Sequence, residues 1–196
     1  MSSVTGAPAV SVECYLREYS RLRASAVVQP DGSCGKLAGA VFDPDDWRIG
    51  MLLVDDGDRW RVGTGAIDHV GDDPPEIVLR PEWELRVASA RPAHRVETDR
   101  LLAYALITRD GAVGRIADLL INIDNWRIKF FVVDNGRRPV LLHVEWTRRV
   151  DTQSRKVFVD VPARAFESAP RYAGIAVMTP GYEDVVNRHY TRRDFV

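Results

Sequence analysis

The sequence holds little of what catalysts, secreted domains and membrane proteins depend on. Its 196 residues include 2 cysteines, Cys14 and Cys34, and 4 histidines. Two cysteines make no disulfide framework, so a reducing, cytoplasmic setting is expected. No apolar run approaches the ~18 residues that span a bilayer, and residues 1–12 lack the basic start and long apolar core of a signal peptide. His69, His94, His143 and His189 are scattered, without the Cys, His or acid spacing of a zinc site. Gly111-x-x-Gly114 opens a strand rather than a helix, so it is no phosphate loop. Nothing suggests a Ser–His–Asp arrangement. The expectation is a non-enzymatic protein with no cofactor and no metal.

What the sequence does have is a copy of itself. Residues 22–57, moved forward by 79 positions, fall without a gap on residues 101–136, with 14 of 36 positions identical. The identities include Asp31/Asp110, Gly32/Gly111, Gly35/Gly114, Trp47/Trp126, Asp55/Asp134 and Gly57/Gly136. Most are glycines, turn acids and apolar strand positions, so architecture is what the copies share. A hydrophobic fraction of 45% and a charged fraction of 28% belong to globular chains. Cys34 aligns with Val113 and is read as a buried free thiol replacing an apolar residue.

Each copy reads as short strands between turn signals. In the second copy these are Leu102–Thr108, Gly114–Ile123, Trp126–Val133, Val140–Val144 and Lys156–Val161. In the first they are Ala24–Gln29, Gly35–Phe42, Trp47–Val54, Arg59–Val62 and Ile77–Leu79. Short strands at this spacing imply a closed or partly closed antiparallel barrel. Two short helices are expected. Ala163–Ser168 has Pro162 suited to a first turn, and Tyr182–Tyr190 sets Tyr182, Val185, Val186, His189 and Tyr190 on one face for packing onto its own barrel. Ala88–Asp99 reads as a linker. The expected organisation is an extension over 1–20, a first unit over 21–87, a linker over 88–99, a second unit over 100–172 and a tail with a short helix over 173–196.

Asp110-Gly111-x-x-Gly114, Asp118-Leu119-Leu120-Ile121 and Asn125-Trp126-Arg127-Ile128-Lys129-Phe130-Phe131-Val132-Val133-Asp134 resemble a PRC-barrel domain. The likeness continues through Val140-Leu141-Leu142, Trp146, Lys156–Val161 and Ser168-Ala169-Pro170-x-Tyr172. This is the β-barrel module of the photosynthetic reaction-centre H subunit and of a bacterial ribosome-maturation factor. The resemblance implies a mainly β fold of two tandem small antiparallel barrels with a short C-terminal helix. It carries no catalytic signature. The first copy has Gly63-Thr64-Gly65 where the second has Leu142-His143-Val144, and Ile67 in place of Trp146, so its fourth strand is expected to be weaker.

The copies differ most in charge. Residues 1–85 carry 15 Asp and Glu against 8 Lys and Arg, whereas residues 86–196 carry 13 against 19. Opposed halves suggest complementarity within one chain, or head to tail between chains as a homo-oligomer. The acids Asp43/Asp45/Asp46, aligned with Asn122/Asp124/Asn125, read as Asx turns rather than a calcium loop. His143 and Glu145 read as a solvated pair. Arg137, Arg138, Arg148, Arg149, Arg188, Arg192 and Arg193 form the candidate partner surface. The expected function is that of a protein-interaction scaffold with unknown protein partners. The alternative is an RNA- or ribosome-assembly-binding protein acting through the basic second copy.

Overall fold

Two Asx turns, one in each copy, set the geometry from which the fold grows. In the first, Asp43 Oδ1 accepts from the Asp45 amide at 2.9 Å and Asp46 Oδ1 from the Arg48 amide at 2.8 Å. In the second, Asn122 Oδ1 accepts from Asp124 and Asn125 Oδ1 from Arg127. Each turn delivers a tryptophan in the left-handed region, Trp47 at φ 61° and Trp126 at φ 55°. That conformation costs about 1–3 kcal/mol for a residue with a Cβ. Burial of the indoles offsets it, since Trp47 stacks on Phe42 at 5.5 Å and meets the edge of Phe131 at 5.2 Å.

The computed structural model describes residues 15–82 and 95–192. The strands are β1 Leu16–Glu18, β2 Ala26–Val28, β3 Cys34–Asp43, β4 Arg48–Asp55, β5 Arg59–Gly63, β6 Ile67–Asp72, β7 Pro75–Leu79, β8 Val96–Glu97, β9 Ala105–Ile107, β10 Ala112–Asn122, β11 Arg127–Asp134, β12 Pro139–His143, β13 Thr147–Asp151 and β14 Lys156–Val159. The helices are α1 Tyr19–Leu22, α2 Thr98–Leu101, α3 Ala163–Glu167 and α4 Pro180–Tyr190. The first unit runs β6-β7-β2-β3-β4-β5 and the second β13-β14-β9-β10-β11-β12, the same order twice. The bulges repeat as well, at Leu37/Gly39 and Val41/Phe42 in β3 and at Ile116/Asp118 and Leu120/Ile121 in β10. Bulges at matched positions bend both sheets alike.

Of the expected closed or partly closed antiparallel barrels, the mainly β character is observed, but β2–β7 and β9–β14 pair in parallel and neither row closes. The outer strands β5 and β6 are joined through a 3₁₀ turn at Thr64–Ala66, and β12 and β13 through Val144–Trp146. No ladder joins either pair among the described residues, so each row stays open at that seam. The strands instead form one sheet through both units, because β4 meets β11 at Arg48↔Arg127. Ile49 N–H donates to Trp126 O at 2.7 Å, and Ile128 N–H to Trp47 O at 2.9 Å. These bonds are related by the 79-residue offset, so the units face each other across a local twofold axis.

The segment before each unit crosses to the other one. β1 pairs with β10 (Arg17↔Ile121, Glu18↔Leu120), and β8 pairs with β3 (Val96↔Phe42, Glu97↔Val41). Residues 15–20 of the expected extension are therefore part of the fold. Of the expected linker 88–99, residues up to 94 lie outside the described residues, and the rest forms β8 and the start of α2. Near the axis Tyr19 donates to Asp99 at 3.0 Å, and the Thr98 hydroxyl lies 2.6 Å from the Tyr19 oxygen. The buried apolar side chains of both units form one continuous core.

Two further expectations change. The β11–β12 turn is one residue longer than the β4–β5 turn, so beyond it the offset is 80. Met51 faces Gly63 where Phe130 faces His143. The counterpart of Trp146 is thus Ala66, not Ile67, and β5 keeps as many ladder pairs as β12. Cys34, expected buried, is exposed, because it opens β3 at the mouth of a hairpin.

A shared core and two exchanged strands predict one cooperative unfolding transition for both units. Trp47→Ala removes the indole that reaches Phe131 across the axis and should cost about 3–5 kcal/mol. Urea unfolding followed by circular dichroism and by fluorescence checks both, and two separated transitions would contradict the shared core.

Candidate interaction site between the units

Two clefts flank the axis, each built from the Asx turn and tryptophan of one unit and the outer strand of the other. The first, of about 650 Å³, is lined by Pro44, Asp45 and Trp47 on one side and Thr147, Arg148, Arg149 and Val150 of β13 on the other, with Arg95, Val96 and Thr152 at one end. The second, of about 560 Å³, has Ile123, Asp124 and Trp126 facing Ile67, Asp68, His69 and Val70 of β6. Seven positions are equivalent in the two clefts, and the second is lined in addition by Arg48, Thr64, Gly65, Arg80 and Asn125. Arg148 stands where the other cleft has Asp68, and Arg149 where it has His69. Asp68 is offset by Arg80 at 3.9 Å. Arg149 lies 4.5 Å over the Phe158 ring and 3.8 Å from Asp151.

The candidate arginines do not form one surface. Arg148 and Arg149 line the first cleft. Arg138 is consumed structurally, donating to Glu167 O at 2.8 Å and Ala169 O at 3.1 Å at the end of α3. Arg137 is exposed in the β11–β12 turn, and Arg188 on α4 donates back to Asp184 O. Arg192 is exposed just after α4, and Arg193 lies outside the described residues.

The remaining structural positions act locally. Asp31 Oδ1 accepts from Ser33, and Asp110 accepts from Thr108 and from the Ala163 amide, tying the β9–β10 turn to α3. Those bonds hold both carboxyls below the usual carboxylate range. Asp55 and Asp134 receive the Gly57 and Gly136 amides. Gly32 and Gly111 take positive φ in their turns. A Cβ on Gly114 would collide with Asp134 O, and one on Gly35 would sit 2.5 Å from Val54 Cγ1. Trp146 is half-buried, and its carbonyl accepts from Asp160.

Sequence reasoning missed the polar cluster that binds the ends of the chain to the second unit. Tyr15 donates to Glu183 Oε1 at 2.6 Å, and Lys129 Nζ to Glu183 Oε2 at 2.6 Å and Tyr15 at 2.8 Å. Burial opposes the Lys129 charge, but its bonds to Glu183 and Tyr15 outweigh that and raise its pKa. Burial, followed by the Glu183 hydrogen bond, raises that of Tyr15. These residues lie far apart in the sequence, and no spacing signals them. Arg95 was missed too, although Glu18/Glu97 and Arg21/Arg100 extend the repeat upstream and place Arg95 opposite Leu16.

His143 is a second correction. It is not a solvated residue, since its ring meets Phe130 edge-on at 4.9 Å and its side chain is 14% exposed. Burial lowers its pKa, against the exposed Glu145 at 3.6 Å. Helix α4 packs onto the second unit through His189, which contacts Ala165 O at 2.8 Å, and Tyr190, which donates to Leu141 O at 2.8 Å. Val185, expected on that packed face, is exposed. Among the described residues no group of His, Cys, Asp and Glu is placed to hold a metal ion, and no helix is long and apolar enough to cross a membrane.

This architecture defines a mainly β protein made of small, bulged units that are mostly antiparallel, each with one parallel pair, β2–β7 and β9–β14. Residues 96–165 match the family model of the PRC-barrel domain. The match begins where β8 begins and ends within α3. No curated protein matches the chain.

Two titrations follow. Lys129 and Tyr15 have raised pKa values, so the stability their cluster contributes is complete below about pH 10 and is lost as pH rises through the folded-state values. Glu183→Gln should cost about 1–3 kcal/mol at neutral pH and flatten that alkaline loss, as measured by urea unfolding across pH. His143 has a lowered pKa, so its contribution is full above about pH 6.5 and falls as pH drops through the folded value. Proton NMR should place its midpoint below the ordinary imidazole value.

Proposed function

We propose that the chain is a non-catalytic protein-interaction scaffold built from two PRC-barrel units, the first unit being a second copy of the family domain. The matched strand order, bulges and register of the two rows support that assignment for the first unit. The observation that carries the functional reading is the pair of clefts between the units, concave surfaces that exist only because the units are locked together. The side chains with the most chemical potential, Lys129, Glu183 and Tyr15, are bonded to one another as a tie between chain segments. The exposed thiol of Cys34 fits a reducing, cytoplasmic setting.

The acidic first half and the basic second half sit in one body, so the same charges can also join chains head to tail. Immobilised full-length protein should capture a defined protein in stoichiometric amount, with retention that weakens as salt rises. Sedimentation of the free protein reads self-association in the same buffers. Capture of RNA in place of protein, or of neither with no self-association at low salt, would overturn the scaffold reading.

A further inference from the structure

The two clefts share seven equivalent positions, but an ion pair bridges β1 and β6 beside one of them and has no counterpart beside the other. In the first unit Arg17 of β1 grips the end of β6, donating from Nε to Asp72 Oδ1 at 2.8 Å and from a terminal nitrogen to Asp72 Oδ2 at 2.6 Å. A bidentate pair of this kind fixes both partners in one geometry. The equivalent positions beside the basic cleft are Val96 on β8 and Thr152 after β13, by the 79- and 80-residue offsets. Neither carries a charge. Val96 and Thr152 accordingly line the basic cleft, whereas the lining of its counterpart stops short of Arg17 and Asp72.

The opened wall has a defined chemistry. β13 is the outermost strand of its row and pairs only with β14 among the described residues, so no strand ladder occupies its other edge. An open edge is a template on which an extended peptide can add as a strand. Arg148, at the position of Asp68 in the clamped cleft, is exposed and makes no hydrogen bond or ion pair among the described residues. Arg95 lies at the far end, where the other half has the buried Leu16.

The opposite wall discriminates between anions. Asp45 lines it and would repel a continuous phosphate backbone. The aromatic faces that could stack bases are covered, since Arg149 sits over Phe158 and Trp47 is buried against Phe42. Single-stranded nucleic acid needs such faces. A peptide needs instead a backbone edge and separated countercharges, and both are present.

We propose that the open cleft between β8 and β13 binds an extended acidic segment of a protein partner, its backbone added along the β13 edge and its carboxylates held by Arg148 and Arg95. This rests on the scaffold reading and names the partner's chemistry. Arg148→Asp reproduces the charge of the clamped cleft, and the pair Val96→Arg with Thr152→Asp rebuilds the clamp itself.

The probe is a short synthetic peptide of alternating Glu and Val, titrated into full-length protein by calorimetry and by amide NMR, with an oligouridylate in parallel. Binding should perturb the amides of Thr147–Asp151. Arg148→Asp should weaken it by roughly tenfold, the loss of one charge-assisted contact, and the rebuilt clamp should abolish it. Arg148 is exposed, so that variant remains informative if the clamp variant does not fold. Failure of the peptide to bind, unaltered binding by Arg148→Asp, or tighter binding of the oligouridylate overturns the proposal. Captured protein partner tests the two readings apart. Stoichiometric capture that survives both variants removes the cleft and leaves the scaffold, whereas no capture by the native protein removes the scaffold itself.

Discussion

Two backbone hydrogen bonds, Ile49 N–H to Trp126 O and Ile128 N–H to Trp47 O, join the halves of this protein, and most of its other features depend on them. They form only because each tryptophan is held in the left-handed region, which turns its carbonyl toward the other unit. The Asx turns before the tryptophans supply that conformation, and burial of the rings compensates its cost. Arg48 and Arg127 then lie opposite each other, a like-charge pair relieved by exposure and by Asp46, 3.7 Å from Arg127. With β4 and β11 aligned this way, β1 reaches β10 and β8 reaches β3. The exchanged strands and the common core are thus consequences of one symmetric contact.

Duplication within a single chain removes a constraint that binds symmetric dimers. In a homodimer any substitution appears twice, once on each side of the axis. Here each side has changed alone. Ser20 bonds the Asp118 carboxylate through its amide and hydroxyl, yet at the equivalent pair Asp99 faces Gly39, and Asp99 turns to Tyr19 and Arg23 instead. The Arg17–Asp72 clamp stands opposite Val96 and Thr152, and Asp68 opposite Arg148. Trp47/Trp126, Arg48/Arg127 and Ile49/Ile128 on the axis have kept their identity, while Arg148/Asp68 and Arg149/His69 at the clefts have diverged.

The conserved part was legible in the sequence and the divergent part was not. The repeat, the Asx turns and ten strands follow from glycines, acids and apolar alternation between residues 22 and 161. β6 and β13 escaped because a bulge near the start of each (Ile67/His69 and Thr147/Arg149) breaks the alternation, and exposed charges fill the rest. β1 and β8 are too short to show any period, and they are stabilised by a partner unit that local patterning does not encode. Cys34 was misjudged because alignment with Val113 conveys residue type but not position at a hairpin mouth. The Tyr15–Lys129–Glu183 tie joins three segments that only the folded chain brings together.

The opposed charges of the halves are mostly not consumed in holding the halves together. Across the axis, Arg127–Asp46 is the ion pair that sets a basic residue of the second copy against an acidic one of the first among the described residues. Arg23–Asp99 runs the other way, from the acidic half to the basic one. The rest of the interface is apolar packing, backbone bonding and hydrogen bonds in which a neutral hydroxyl meets a charged partner, such as Ser20–Asp118, Tyr19–Asp99 and Tyr15–Glu183. An excess of charge that does not stabilise the fold projects into solvent, where it acts over about a Debye length, ~10 Å, on whatever approaches. Both signs also line the first cleft, where the acidic turn of one unit faces the outer strand of the other. The β13 cleft brings Arg95 and Arg148 of one half and Asp45 of the other into a single lining. That is a property of the duplicated body, and neither copy could supply it alone.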